Sequence, residues 1–171
     1  MKRLATACAL GLVFASSTSA AAPPTEATYR KLCRSIQARH VRALFTTGVA
    51  PIQLGGSSDC AFSPRGRAGA AGVRVYLRID DGDQTLWSHR GDRPYGTFRA
   101  LTSGDLHAKW GYQGGRLPSV VDARTRTFTC TLIPFGDETA FALTHGTPLA
   151  SAHRFASILV QLCADVFAAY G

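Results

Sequence analysis

Four cysteines far apart in the sequence, Cys33, Cys60, Cys130 and Cys163, constrain this chain more than any other feature. Each is separated from the next by 27 or more positions. A zinc site of thiolates calls for close pairs such as C-x-x-C, and these cysteines form none. An even number of cysteines in an exported chain reads as a disulfide framework. Each clasp contributes about 2–4 kcal/mol by restricting the unfolded chain. The pairing stays open. Cys33–Cys60 with Cys130–Cys163 would join each helix to a strand, whereas Cys33–Cys163 with Cys60–Cys130 would join helix to helix and strand to strand. The first is favoured, because neighbours in sequence tend to be neighbours in space.

The export reading comes from residues 1–20. Lys2 and Arg3 form a charged start, Leu4 to Ala15 are almost wholly apolar, and Thr18-Ser19-Ala20 is a small-residue cleavage site. That is the layout of a signal peptide, too short to span a bilayer. Cys8 would leave with it. Residues 21–24 form a short extended tail, and 25–171 a single secreted domain. No later stretch is read as reaching membrane-spanning length, so none is expected to cross a membrane. Of the formal charge of +8, Lys2 and Arg3 carry two, leaving +6 on the mature chain. The basic residues are scattered, so a nucleic-acid arm is not expected.

A first helix is expected from Thr25 to Phe45. Thr25 can cap it, and Tyr29, Leu32, Cys33, Ile36, His40 and Leu44 recur with helical spacing. Arg30, Lys31, Arg34 and Arg39 fall on its other faces, and Gly48 ends it. Strands are expected at Asp59–Phe62, Val73–Ile79, Leu106–Trp110 and Arg126–Pro134. In the second, Val73, Val75, Leu77 and Ile79 face one way and Arg74, Tyr76 and Arg78 the other. Asp81-Gly82 favours a hairpin after it. Gly136-Asp137 is expected to turn the chain into a partner strand near Thr139–Thr144. A last helix should run from Pro148 to Ala169, capped by Thr147, with Pro148 in its first turn. The order predicts an α+β fold: an antiparallel sheet of about five strands, N- and C-terminal helices packed on one face, and two disulfides.

These elements resemble a broad group of exported actinobacterial domains of unknown function. That group is similar in layout to the extracellular sensor domain of some membrane-bound serine/threonine kinases. The resemblance rests on Leu32-Cys33, Asp59-Cys60-Ala61-Phe62, the Val73–Ile79 strand and Phe135-Gly136-Asp137-Glu138-Thr139-Ala140. It spans most of the mature chain through short motifs. It implies a helix-and-sheet fold and ligand sensing outside the cell, and it carries no catalytic residues.

The chemistry points away from an enzyme. Ser63, Ser88, Ser103 and Ser119 offer hydroxyls, but no G-x-S-x-G elbow is present. The histidines lack H-E-x-x-H spacing, His40 sits on the apolar stripe, and His145 and His153 flank the last loop. Asp80-Asp81-Gly82-Asp83 lacks the ligand spacing and closing glutamate of a calcium loop. No metal or cofactor is expected. The 84–125 segment gathers Trp87, Arg90, Arg93, Tyr95, Trp110, Tyr112 and Arg116, residue types enriched at binding hot spots. These are the candidate binding residues, unless the tryptophans close the core instead. The sequence therefore reads as a secreted, disulfide-stabilised, non-enzymatic binding or sensing domain. Its partner would be a small molecule, an envelope component or an extracellular protein. The alternatives are an inhibitor of an extracellular protease, inserting the Gly111–Pro118 loop, and a small envelope hydrolase built on Ser88 or Ser103.

Overall fold

The computed structural model describes residues 24–55, 58–79, 97–103, 106–125 and 128–170, with the backbone alone for 97–103. Two short helices come first, α1 (Glu26–Ser35) and α2 (Ala38–Arg42). Seven strands follow: β1 (Gln53–Leu54), β2 (Asp59–Phe62), β3 (Ala71–Ile79), β4 (Thr97–Ser103), β5 (Leu106–Tyr112), β6 (Val120–Arg124) and β7 (Phe128–Gly136). A 3-10 turn at Glu138–Ala140 leads to α3 (Pro148–Tyr170). The strands make one sheet in the order β1-β2-β3-β7-β6-β5-β4, with every neighbouring pair antiparallel. The α+β class and the antiparallel sheet agree with the sequence. The expected five strands fall short: even without the two-residue β1, six strands of four residues or more are present.

Register defines the two faces, because directly opposed residues of an antiparallel pair point the same way. Cys60, Val75, Leu132, Val121 and Trp110 oppose one another across five strands, as do Leu77, Cys130, Ala123 and Ala108 across four. Every one of them is buried. This is the covered face. Cys60 is bonded to Cys33 of α1 and Cys130 to Cys163 of α3, so both terminal helices lie on it. The Cα atoms of the two pairs are 6.3 and 5.8 Å apart. The helix-to-strand pairing is therefore the one adopted. On the opposite face, Asp59, Tyr76, Thr131, Asp122 and Lys109 form the equivalent row. There the Thr131 hydroxyl donates to Asp122 Oδ1 at 2.5 Å.

α3 supplies most of the cover. Phe155, Leu159, Leu162 and Val166 recur at three- and four-residue spacing and are 0–2% exposed. Each such side chain contributes about 1.5–3 kcal/mol through burial. The Thr147 hydroxyl caps the helix by accepting from Ala150 N, with Pro148 in the first turn. Contrary to the sequence reading, α3 is long and apolar enough to cross a membrane. It is instead tied to the sheet by Cys163 and packed into the core.

Three local expectations are corrected. The chain does not pair a strand near Thr139–Thr144 with β7, because β3 and β6 already occupy both edges of β7. Asp137 instead caps the 3-10 turn, its carboxylate accepting from Thr139 N at 2.9 Å, and Phe141 forms a single bridge to Phe45. β3 likewise has β2 and β7 on its two sides, so it forms no hairpin with β4, which lies at the far edge; the Asp80–Asp83 turn itself lies outside the described residues. The single helix expected over Thr25–Phe45 is broken at Ile36 and Gln37, both extended, with ψ of 122° and 129°.

Candidate binding groove

The break at Ile36-Gln37 has a cause far along the chain. The Gln37 main-chain N–H donates to Asp165 Oδ2 of α3 at 3.0 Å. His40 Nδ1 reaches the same oxygen at 2.6 Å. Gln37 is the N-cap of α2 and has no capping bond from its own side chain. The Asp165 carboxylate supplies an acceptor at the start of that helix, where the orphan N–H groups and the dipole favour negative charge. Asp165 is 7% exposed, and a buried carboxylate needs such partners. A continuous helix would have turned the Gln37 N–H back into its own axis.

α2 thus leaves the line of α1, and a hollow of about 450 Å³ lies along both. Ile36 reaches it from the break, Val41 from α2 and Phe62 from β2, and Val49 and Ile52 come from the segment that follows α2. That segment is held by a small ladder. Ala50 N donates to Ser63 O at 2.9 Å, Arg65 N donates to Gly48 O at 3.0 Å, and Val49 bridges Pro64. Gly48 begins the segment with φ of +76°, the left-handed region that favours glycine. The Cys33–Cys60 clasp fixes α1 over β2 at the same place, and Cys33 also lines the hollow.

Three arginines complete the lining. Arg34 follows the disulfide in α1, Arg42 ends α2, and Arg65 lies just beyond β2. All three are exposed. No acidic residue lines the hollow, and none of the three guanidiniums has an acidic partner among the described residues. The floor is apolar and the surrounding charge has one sign. A concave, mostly apolar site with a few convergent polar groups is the general form of a small-molecule site, at volumes of about 300–1,000 Å³.

The residues singled out from sequence are arranged differently. Trp110 is 1% exposed, so it is a core residue rather than a binding surface. Its indole meets the rings of Tyr112 and His153 edge-on, at 5.9 and 5.6 Å between centroids. Arg116 is turned onto its own protein: its main-chain N–H donates to Glu138 Oε1 at 2.9 Å and its guanidinium to Gly146 O at 3.4 Å. Trp87, Arg90, Arg93 and Tyr95 lie outside the described residues. The groove itself was missed. Arg34 reads in the sequence as the polar face of a helix, and Arg65 belongs to none of the expected elements. Gly48, read as a helix stop, and Cys33, read as a disulfide partner, both line the groove.

The His40–Asp165 pair has the form of two members of a hydrolase triad. Among the described residues, no hydroxyl is bonded to the other nitrogen of the imidazole. Arg39 Nε donates to His40 Nε2 at 3.2 Å, where a nucleophile would have to stand. Ser151 is buried, but it precedes Asp165 by 14 residues of the same helix. At 1.5 Å per residue that is about 21 Å. Ser88 lies outside the described residues, as does the side chain of Ser103. The pair instead positions α2. No family model matches this chain, and no curated protein or solved structure is significantly similar to it.

Proposed function

We propose that this protein is an exported binding or sensing domain without catalytic activity, and that the groove between α1–α2 and the Gly48–Ile52 segment is its ligand site. The observation that carries the reading is the composition of the hollow: an apolar floor with three arginines around it and no acid among the described residues. Two disulfides support export, since such crosslinks persist in oxidising compartments. The reading fits the resemblance of the short sequence motifs to exported domains of unknown function, similar in layout to an extracellular sensor domain, which would imply ligand recognition outside the cell. An inhibitor inserting the Gly111–Pro118 loop is served less well, because Arg116 is engaged with Glu138 and Gly146.

The test is a thermal-shift survey of small molecules extracted from cell envelopes, run on the native chain and on Ala50→Trp. Ala50 lines the groove and is half-buried, so an indole there obstructs the hollow. A ligand at 100 times its Kd adds about 2.7 kcal/mol to the native state. Shifts seen with the native chain and absent from the variant are expected. Ligands that stabilise both chains alike would place binding elsewhere.

A further inference from the structure

We infer that the groove takes an anionic amphiphile: one carboxylate or phosphate head on a hydrocarbon body. The inference rests on the groove being the ligand site, and it names the ligand's chemistry. The body follows from the floor. Ile36, Val41 and Phe62 are at most 7% exposed, and Val49 and Ile52 are half-buried. These side chains offer a ligand contact and desolvation but no hydrogen bond. A sugar or a free amino acid would leave its polar groups unpaired against them.

The head follows from the arginines. A guanidinium presents a planar fork of donors matched to carboxylate and phosphate oxygens, and it binds them in paired, charge-assisted hydrogen bonds. Elsewhere on this molecule arginine does meet acids, as Arg30 meets Glu26 and Arg67 meets Asp137. Arg34, Arg42 and Arg65 come from three different elements onto one hollow and have no such partner among the described residues. An anion bound there brings together charges that the described residues leave uncompensated. A cation meets repulsion, and a neutral amphiphile gains only the floor. The hollow's volume of about 450 Å³ suits a single small molecule, so the occupant is one amphiphile rather than a bilayer surface.

The experiment measures binding of monomeric dodecanoate, dodecanol and inorganic phosphate by calorimetry at low salt. It uses the disulfide-bonded chain, Ala50→Trp, and the triple variant Arg34→Gln, Arg42→Gln, Arg65→Gln. Because these arginines are exposed, the triple variant is expected to fold as the native chain does. Native protein should bind dodecanoate at least tenfold more tightly than dodecanol, and phosphate more weakly than either. The triple variant should lose that tenfold preference, and Ala50→Trp should lose both amphiphiles. Equal binding of dodecanoate and dodecanol, unchanged in the triple variant but lost in Ala50→Trp, overturns the anionic head and keeps the groove. Unchanged binding of both in Ala50→Trp overturns the groove itself. Phosphate bound as tightly as dodecanoate overturns the hydrocarbon body, and failure of native protein to bind dodecanoate overturns the inference outright.

Discussion

Two joints of this molecule share a construction and differ in what they enclose. At each, a terminal helix is crosslinked to a strand of the covered face, across 27 residues for Cys33–Cys60 and 33 for Cys130–Cys163. Around Cys163 the space is filled, because α3 runs unbroken for 23 residues and its apolar stripe lies on β5, β6 and β7. Around Cys33 the helix breaks after ten residues and α2 adds only five. A short, interrupted helix cannot lay a continuous stripe on the sheet, and the uncovered strip becomes the hollow. Crosslinking therefore does not decide whether a joint is solid. Helix continuity does, and the crosslink lets the hollow joint survive.

The contrast can be broken most forcefully by emptying each side. Trp110→Ala on the filled side should cost about 4 kcal/mol, as large core truncations do. Ile52→Ala, on the hollow side and only half-buried, should cost under about 1.5 kcal/mol. Urea unfolding gives both values, and comparable losses would mean that the groove is packed as tightly as the core. Removing the clasps comes next. From loop length alone, Cys33→Ala with Cys60→Ala and Cys130→Ala with Cys163→Ala should lose about 3.6 and 3.7 kcal/mol. Hydrogen exchange should separate what stability does not. Amides of α1 and α2 should exchange fast in the first variant, while those of α3 stay among the slowest in the second. Equal loosening of both helices would sink the comparison.

His40→Ala should cost about 2 kcal/mol, since it leaves the buried Asp165 carboxylate with the Gln37 N–H as its described partner. The loss should be accompanied by faster exchange in α2; a stability change with α2 unaffected would detach the pair from the break. The smallest effect lies at the 3-10 turn. Hydrogen bonds from the Thr139 N–H and hydroxyl, with Arg67 nearby, hold the Asp137 carboxyl below its usual value of 3.8. A depressed folded-state pKa gives stability that is present above pH 3.8 and lost as the pH falls through the lower folded value. Asp137→Asn should therefore flatten stability below about pH 4 and leave groove binding untouched. Unfolding curves taken between pH 2 and 5 check it.

The comparison also marks what the sequence could show. The filled side was legible. Alternation over Val73–Ile79 and the helical stripe of Phe155 to Val166 each encode one buried face within a few neighbouring residues. The helix-to-strand cysteine pairing, which sequence order favoured without deciding, is the one adopted. Strand partners were not legible. Whether β7 pairs with a following strand depends on which edges are already taken, which is a property of the whole sheet. The helix break was hidden for a similar reason, since its acceptor lies 128 positions away. Trp110 misled because aromatic residues serve cores and binding surfaces equally well, and register alone turns this one inward.

The contact that bends the first helix has a consequence for substitution. Asp165 grips residue 37 through its main-chain amide, not through the glutamine side chain. Nineteen of the twenty amino acids carry that amide, and only proline lacks it. Position 37 can therefore drift freely, with proline the one forbidden replacement, while the restraint falls on the aspartate at the other end. Two positions that depend on each other in space would then leave no matched pair of changing side chains to betray it.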